Sequence, residues 1–238
     1  MKTKSLSLNN AKYSAFVLWM LFTLAVLLLI PTLSFSKGTD IGLQLGPTLT
    51  KSIGKNNVNS HVDVGAAAEF FVRYNFTDLV SIRTGIGFED KGDRYNGLTY
   101  TNGNGDVVLA SVLHHRTKYI TIPLLVELTF AHGKKVQPYI NTGIYMGFLI
   151  SARDIYKDNT NGNVFKRTVT DSYHTFDIGY VLGAGLKVPI KTHWLFDFGV
   201  RNDFGFIKTN KNSNAYVNKL LNYSTAFNFG FAYKLGNK

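Results

Sequence analysis

The 238 residues contain no cysteine. In an exported chain that excludes a disulfide framework, and the fold must hold by backbone pairing and packing alone. Charge is also scarce. Asp, Glu, Lys and Arg supply 17% of the chain, against roughly 25% in an average soluble protein. Acids are scarcer than bases, 15 against 26, for a formal net charge of +11. The bases are spread over the whole length, and no helix or compact run gathers them into a stripe, so no nucleic-acid partner is expected. What is abundant is aromatic residues, at 14%, and glycine, at 22 residues. Few charges with many aromatics and glycines suit a β-protein that faces lipid.

An apolar run long enough for a spanning helix is also missing. Ala15 to Ile30, interrupted only by Thr23, has 16 residues, short of the roughly 20 that a helix needs to cross a bilayer. It follows Lys2, Lys4 and Lys12, ends at Pro31, and leads to the small residues of Ser34-Phe35-Ser36. Residues 1–36 therefore read as a cleaved signal peptide rather than an uncleaved anchor, and residues 37–238 as one domain.

In that domain the dominant pattern has a period of two, the periodicity of strands. From Tyr119 to Phe130, the residues Ile120, Ile122, Leu124, Val126, Leu128 and Phe130 share one face, while Thr121, Pro123, Leu125, Glu127 and Thr129 share the other. After the short basic turn His132-Gly133-Lys134-Lys135, a second run from Tyr139 to Ile150 repeats the rule. Eight such strands can be marked from Thr39 to Leu235. Three connections are tight: Thr77-Asp78-Leu79, 131–136 and 189–193. Four are long and polar: 51–61, 90–115, 151–173 and 208–222. Asn96-Gly97, Asn102-Gly103-Asn104-Gly105 and Asn161-Gly162 supply turn chemistry in the long ones.

Volume decides which face points inward. An eight-stranded barrel encloses just enough space for side chains. One face of these strands is almost wholly Phe, Ile, Leu, Val, Tyr and Trp, too bulky for that interior, whereas the other is Gly, Ala, Ser, Thr and Asn with charges of both signs. The bulky face fits lipid, and a closed barrel satisfies every backbone group in a membrane. The expected fold is all-β, an eight-stranded antiparallel up-and-down transmembrane β-barrel. With an even strand number both termini lie in the periplasm, the tight turns face the periplasm, and the long loops face outside. Trp194, Phe196, Tyr74, Phe76, Phe130 and Tyr233 cluster toward the tight-turn end as part of an aromatic girdle.

Tyr119-Ile120-Thr121-Ile122-Pro123-Leu124-Leu125 resembles the YxxIPLL strand of the PorT-like outer-membrane β-barrel domain family, widespread in Bacteroidota. Pro138 to Gly143, Asp177 to Gly185 and Phe229 to Leu235 are similar to later strands of that family, although Thr121 stands where an acidic residue is frequent. The resemblance implies an outer-membrane barrel. One member of the family is tied to a secretion system for surface and gliding proteins.

No catalytic, cofactor-binding or metal-binding residues are expected, and no cofactor. His114-His115 reads as a solvated loop edge, because adjacent strand residues point apart. Ser172 and His174 would share a strand face but lack an identifiable acidic orienter. Gly183-Ala184-Gly185 lacks the third glycine and the helix start of a dinucleotide site, and reads as interior room. Asp158 to Gly162 has the wrong spacing for a calcium loop and reads as a turn. The strongest constellation is the set of inward charges: Glu69, Glu127, Asp177, Asp197 and Asp203 with Arg73, Arg83, Lys187, Arg201 and Lys234. Buried charges must be paired, so these residues are expected to plug the barrel rather than line a transport path. The expected role is non-enzymatic, structural or in binding, with a small pore or a lipid-modifying enzyme as alternatives. Its partners would be outer-membrane lipid and an extracellular or secretion-machinery protein met by loops 90–115 and 151–173.

Overall fold

A computed structural model describes residues 38–54, 60–101, 107–158, 162–211 and 220–235, with only the backbone described for 98–101 and 107–111. The expected signal peptide lies outside the described residues, as do Asn102 to Gly105 and Asn161 of the expected turns.

The strands are β1 (Gly38–Ile53), β2 (Ser60–His61), β3 (Asp63–Asn75), β4 (Val80–Thr101), β5 (Val107–Thr129), β6 (Gln137–Lys157), β7 (Val164–Thr168), β8 (Phe176–Pro189), β9 (Trp194–Gly205) and β10 (Leu221–Leu235). Eight of them close a ring in the order β4-β3-β1-β10-β9-β8-β6-β5, with β4 paired to β5. Every pairing in the ring is antiparallel. The seam joins the first strand to the last, from Thr39↔Leu235 to Ile53↔Leu221. The ring therefore has no free edge, which is what lets strands lie in lipid with all their backbone groups paired.

Burial follows the alternation, with polarity reversed relative to a soluble protein. Leu43, Ile86 and Phe231 are each more than half exposed, while Arg73, Glu127 and Glu89 are fully buried. Large rings also point inward: Phe71, Tyr119, Tyr139 and Tyr145 are buried. Inward glycines make room for them. A Cβ at Gly185 would lie 2.6 Å from the Tyr139 hydroxyl oxygen, and one at Gly199 would lie 2.5 Å from it.

The tight turns are where the sequence puts them. Phe76 and Thr77 both donate from their backbone N–H to the Val80 carbonyl, at 3.0 and 3.1 Å, and the Thr77 hydroxyl accepts from the N–H groups of Leu79 and Val80. Ile190 N–H donates to the Trp194 carbonyl at 2.9 Å. At this end Trp194 packs edge-on against Tyr233, with centroids 5.2 Å apart, and Tyr74 against Phe76 at 4.9 Å.

Two of the expected long loops are corrected. Residues 90–115 are mostly strand: β4 and β5 stay paired from Val80↔Leu128 out to Thr101↔Val107. In 151–173, β6 continues to Lys157 and is answered by β7, paired from Arg153↔Thr168 to Lys157↔Val164. At 22, 23 and 21 residues, β4, β5 and β6 are about twice the roughly 10 residues that a tilted strand needs to cross a bilayer. That length exceeds a bilayer crossing, so the halves remote from the tight turns are more than a crossing strand requires. A strand in water needs no apolar face, so it lacks the alternation that marks the lower halves.

The β5–β6 pairing contains a bulge. Tyr119 faces Leu149 and Lys118 faces Ser151, which leaves Ile150 as the extra residue. Below it the odd-numbered residues Asn141, Tyr145 and Gly147 of β6 are buried; above it Ala152 is. The bulge thus reverses which residues of β6 point inward.

Candidate functional site

The interior carries a ladder of charged side chains, built because every second residue of each strand must point into the barrel. Near the tight turns, Arg73 of β3 reaches three carboxylates: Asp40 of β1 at 3.2 Å, Glu127 of β5 at 2.8 Å and Asp197 of β9 at 2.6 Å. Lys187 of β8 lies 2.5 Å from Glu127 and donates to the Thr129 hydroxyl at 2.7 Å. The Tyr139 hydroxyl donates to the other Asp197 oxygen at 2.8 Å. One level further out, Glu69 receives Arg83 at 2.9 Å, Arg201 at 2.7 Å and the Gln44 amide at 3.1 Å. The Arg83 guanidinium lies over the Phe71 ring, 4.0 Å from its centroid, a cation–π contact that compensates part of its lost hydration.

Arg201 links this level to the next. It contacts Glu89 at 3.3 Å and Asp203 at 3.0 Å, and Lys91 approaches the same two acids at 3.7 and 3.8 Å. The Ser224 hydroxyl donates to Glu89, and Lys91 Nζ sits 3.9 Å from the centre of the Tyr145 ring. Above this, Asp177 accepts from the Tyr145 hydroxyl and the Asn222 amide, both at 2.8 Å. Each bridging cation touches acids from several strands, so the ladder ties the wall together across the lumen.

Of the ten charges expected from sequence, all but Lys234 are buried inside the barrel. Asp177 is held by neutral donors and, among the described residues, has no cation within salt-bridge distance. Lys234 is corrected: it is half-buried near the end of β10, lines the mouth at the tight-turn end, and makes no salt bridge among the described residues. The sequence reading missed Asp40, Glu89, Lys91 and the two tyrosines, Tyr139 and Tyr145. The signal for the first three was present. Extending the even-numbered inward set of β1 back to Asp40, and the odd-numbered set of β4 on to Glu89 and Lys91, reaches them.

The histidine pair is also corrected. His114 and His115 lie on β5, not on a solvated loop edge. His114 Nδ1 is 2.9 Å from Asp63 of β3. His115, on the opposite face, has its Nδ1 2.5 Å from Asp154 of β6 and stacks on Tyr173 with centroids 4.8 Å apart. Burial, and then the Asp154 carboxylate, push the Tyr173 phenol above its ordinary range. Beside this cluster Asp93 accepts from Ser60 at 3.2 Å and from Tyr95 at 2.8 Å. Ser172 sits in a 3-10 turn, Thr170–Ser172, and His174 is exposed beyond it, so the two do not share a strand face. Among the described residues, no group of three or more His, Asp or Glu side chains is placed to hold a metal.

A ring of eight antiparallel strands with apolar side chains outside and paired charges inside is the arrangement that a lipid bilayer selects. The family model described as outer membrane protein beta-barrel domain matches residues 33–211. The chain belongs to this family. It is an outer-membrane barrel, and the matched stretch ends before β10, the strand that closes its ring.

Several solved structures are similar to this outer-membrane barrel. Neisserial surface protein A shares 14% identity, over 84% of this chain and 99% of its own, with a TM-score of 0.48. The outer membrane protein OprG from Pseudomonas aeruginosa shares 15% over 84% and 98%, with a TM-score of 0.46. The outer membrane protease OmpT from Escherichia coli shares 7% over 84% and 97%, with a TM-score of 0.44. No curated protein matches the barrel.

Proposed function

We propose that this barrel is a non-enzymatic outer-membrane protein whose lumen is plugged by its own ion pairs and whose outer hairpins contact a partner at the cell surface. The observation that carries the reading is the Arg73–Glu127–Asp197 cluster with its continuation through Glu69, Arg201 and Glu89. With Asp40 and Lys187, these side chains reach one another from β1, β3, β4, β5, β8 and β9, and so fill the cross-section of an eight-stranded ring. Such a ring leaves room for side chains and little else. The paired strands that rise beyond the membrane, β4 with β5 and β6 with β7, offer a stiff platform for protein contact, with exposed Val164 and Phe165 on it. In this reading the tight turns face the periplasm, residues 1–36 are removed as a signal peptide, and the role is structural, surface-binding or accessory to a secretion machine. The Ile-Pro-Leu strand at 122–124 and the Gly-rich β8 support a place among the PorT-like barrels of Bacteroidota.

Planar-bilayer recording on the purified barrel tests the plug. The expected outcome is no steady conductance in the wild type. Stable channels whose amplitude changes in Arg201→Ala or Glu127→Ala would make the lumen a pathway and replace this reading with that of a small pore.

A further inference from the structure

The tight-turn end of the barrel opens into a cavity of about 740 Å³, within the roughly 300–1,000 Å³ range of ligand sites. Its wall is formed by the three tight turns with the ends of β1 and β10, and its floor includes Ser81, Gln137 and Lys187. Two of its lining residues belong to the ion-pair cluster below: Asp40 contacts Arg73, and Lys187 contacts Glu127.

The lining is electrostatically one-sided. Lys134 and Lys135 come from one turn, Lys191 from another, and Lys234 from the end of β10. None of these four makes a salt bridge among the described residues. The acids on the same wall are already engaged: Asp40 with Arg73 at 3.2 Å and Asp78 with His132 at 3.2 Å. Between the lysines stand apolar side chains. Leu79, Ile190 and Leu235 line the cavity and are each more than two-fifths exposed.

We propose that this vestibule binds an acidic, extended peptide segment that enters along the barrel axis and alternates carboxylates with apolar side chains. The volume far exceeds that of a single small anion, and the cations are held on separate turns, which fits several carboxylates spaced along a chain. The interleaved Leu79, Ile190 and Leu235 fit a peptide better than a polyphosphate. Lipid headgroups surround the outside of the ring, where Trp194 and Tyr233 sit, whereas these lysines line the axial cavity. That the peptide comes from the periplasm rests on the orientation proposed above; the binding itself does not.

The test uses the full chain in a non-ionic detergent and a fluorescein-labelled decapeptide of alternating Glu and Leu, read by anisotropy. Saturable binding is expected, weakened at least tenfold by Lys134→Glu with Lys191→Glu and unchanged by Lys51→Glu with Lys211→Glu, neither of which lines the cavity. Circular dichroism checks that both variants fold; if the first pair does not, Lys134→Gln with Lys191→Gln takes its place in the same assay, with at least a threefold loss expected. A Lys–Leu decapeptide should not bind. Equal loss in the Lys51 and Lys211 variant, or none in the turn variant, overturns the site. Full displacement by millimolar inorganic phosphate would reduce it to a general anion hole, and displacement by phosphatidylglycerol micelles at one lipid per barrel would make it a headgroup site; either result overturns the peptide proposal. Surface proteolysis tests orientation separately, so a failure of the binding site and a failure of the orientation give different results.

Discussion

Arg73 shows how a single residue holds this barrel together. Its guanidinium is fully buried, and three carboxylates from three other strands converge on it. A buried ion pair is weak evidence for net stability, because the Coulombic gain is set against two desolvation penalties. Removing one partner is a different matter, because it leaves charge buried and unpaired. Arg73→Ala takes the cation from Asp40, leaves Asp197 with the Tyr139 hydroxyl and leaves Glu127 with Lys187. The expected cost is about 3–5 kcal/mol in urea unfolding from lipid vesicles. Lys234→Ala, at the half-buried mouth, is expected to change stability by no more than about 0.5 kcal/mol. Similar losses for the two would mean that water reaches Arg73 and that the lumen is not dry.

At the scale of the element, β5 is two strands in one. Its lower half alternates bulky apolar residues outward with Thr121, Leu125 and Glu127 inward; its upper half carries His114, His115, Arg116 and Lys118. The boundary between them is where lipid ends, and a charge scan would find it. Leu124→Arg should cost about 2–4 kcal/mol near the bilayer midplane, and Val112→Arg, on the same face but twelve residues further out, no more than about 1 kcal/mol. Equal penalties would place the whole strand in lipid. The upper half is tied to its neighbours by His114 with Asp63 and His115 with Asp154. His114→Ala with His115→Ala should therefore speed amide exchange across 90–95 and 113–118 while leaving 121–128 protected. Unchanged exchange in the upper half would show that the backbone ladder alone holds the hairpin.

The whole molecule has two unlike ends. One is bordered by short turns and rich in lysine; the other extends into paired strands. Trypsin added to intact cells should cut in the outer hairpins, near Arg94, Arg116, Lys157, Lys166 or Arg167. It should reach the turn lysines, Lys134, Lys135 and Lys191, only after the outer membrane is opened. The reverse order of cleavage would invert the barrel in the membrane. The seam between β1 and β10 makes the same point about closure: the two ends of the domain are neighbours in the ring, so the barrel is complete only when its last strand has joined its first.

The sequence by itself determined the eight strands of the ring, their apolar outer face and nine of the charges that point inward. Those follow from a local rule: alternation in a strand sends Glu127 in and Leu128 out wherever the strand lies in the bilayer. Three things were decided only by tertiary structure. The first was how far the strands run, because outside lipid β4 and β5 pair through Asp90, Asp93 and Arg94 with no apolar face to advertise it. The second was the phase of the outer part of β6. One extra residue at Ile150 reverses it and brings Asp154 to His115, and a bulge arises from pairing between strands that periodicity along one strand does not report. The third was which charges meet. Arg73 and Glu127 are more than fifty residues apart in sequence, and only the closure of the ring, which fixes which strands face one another across the lumen, puts them 2.8 Å apart.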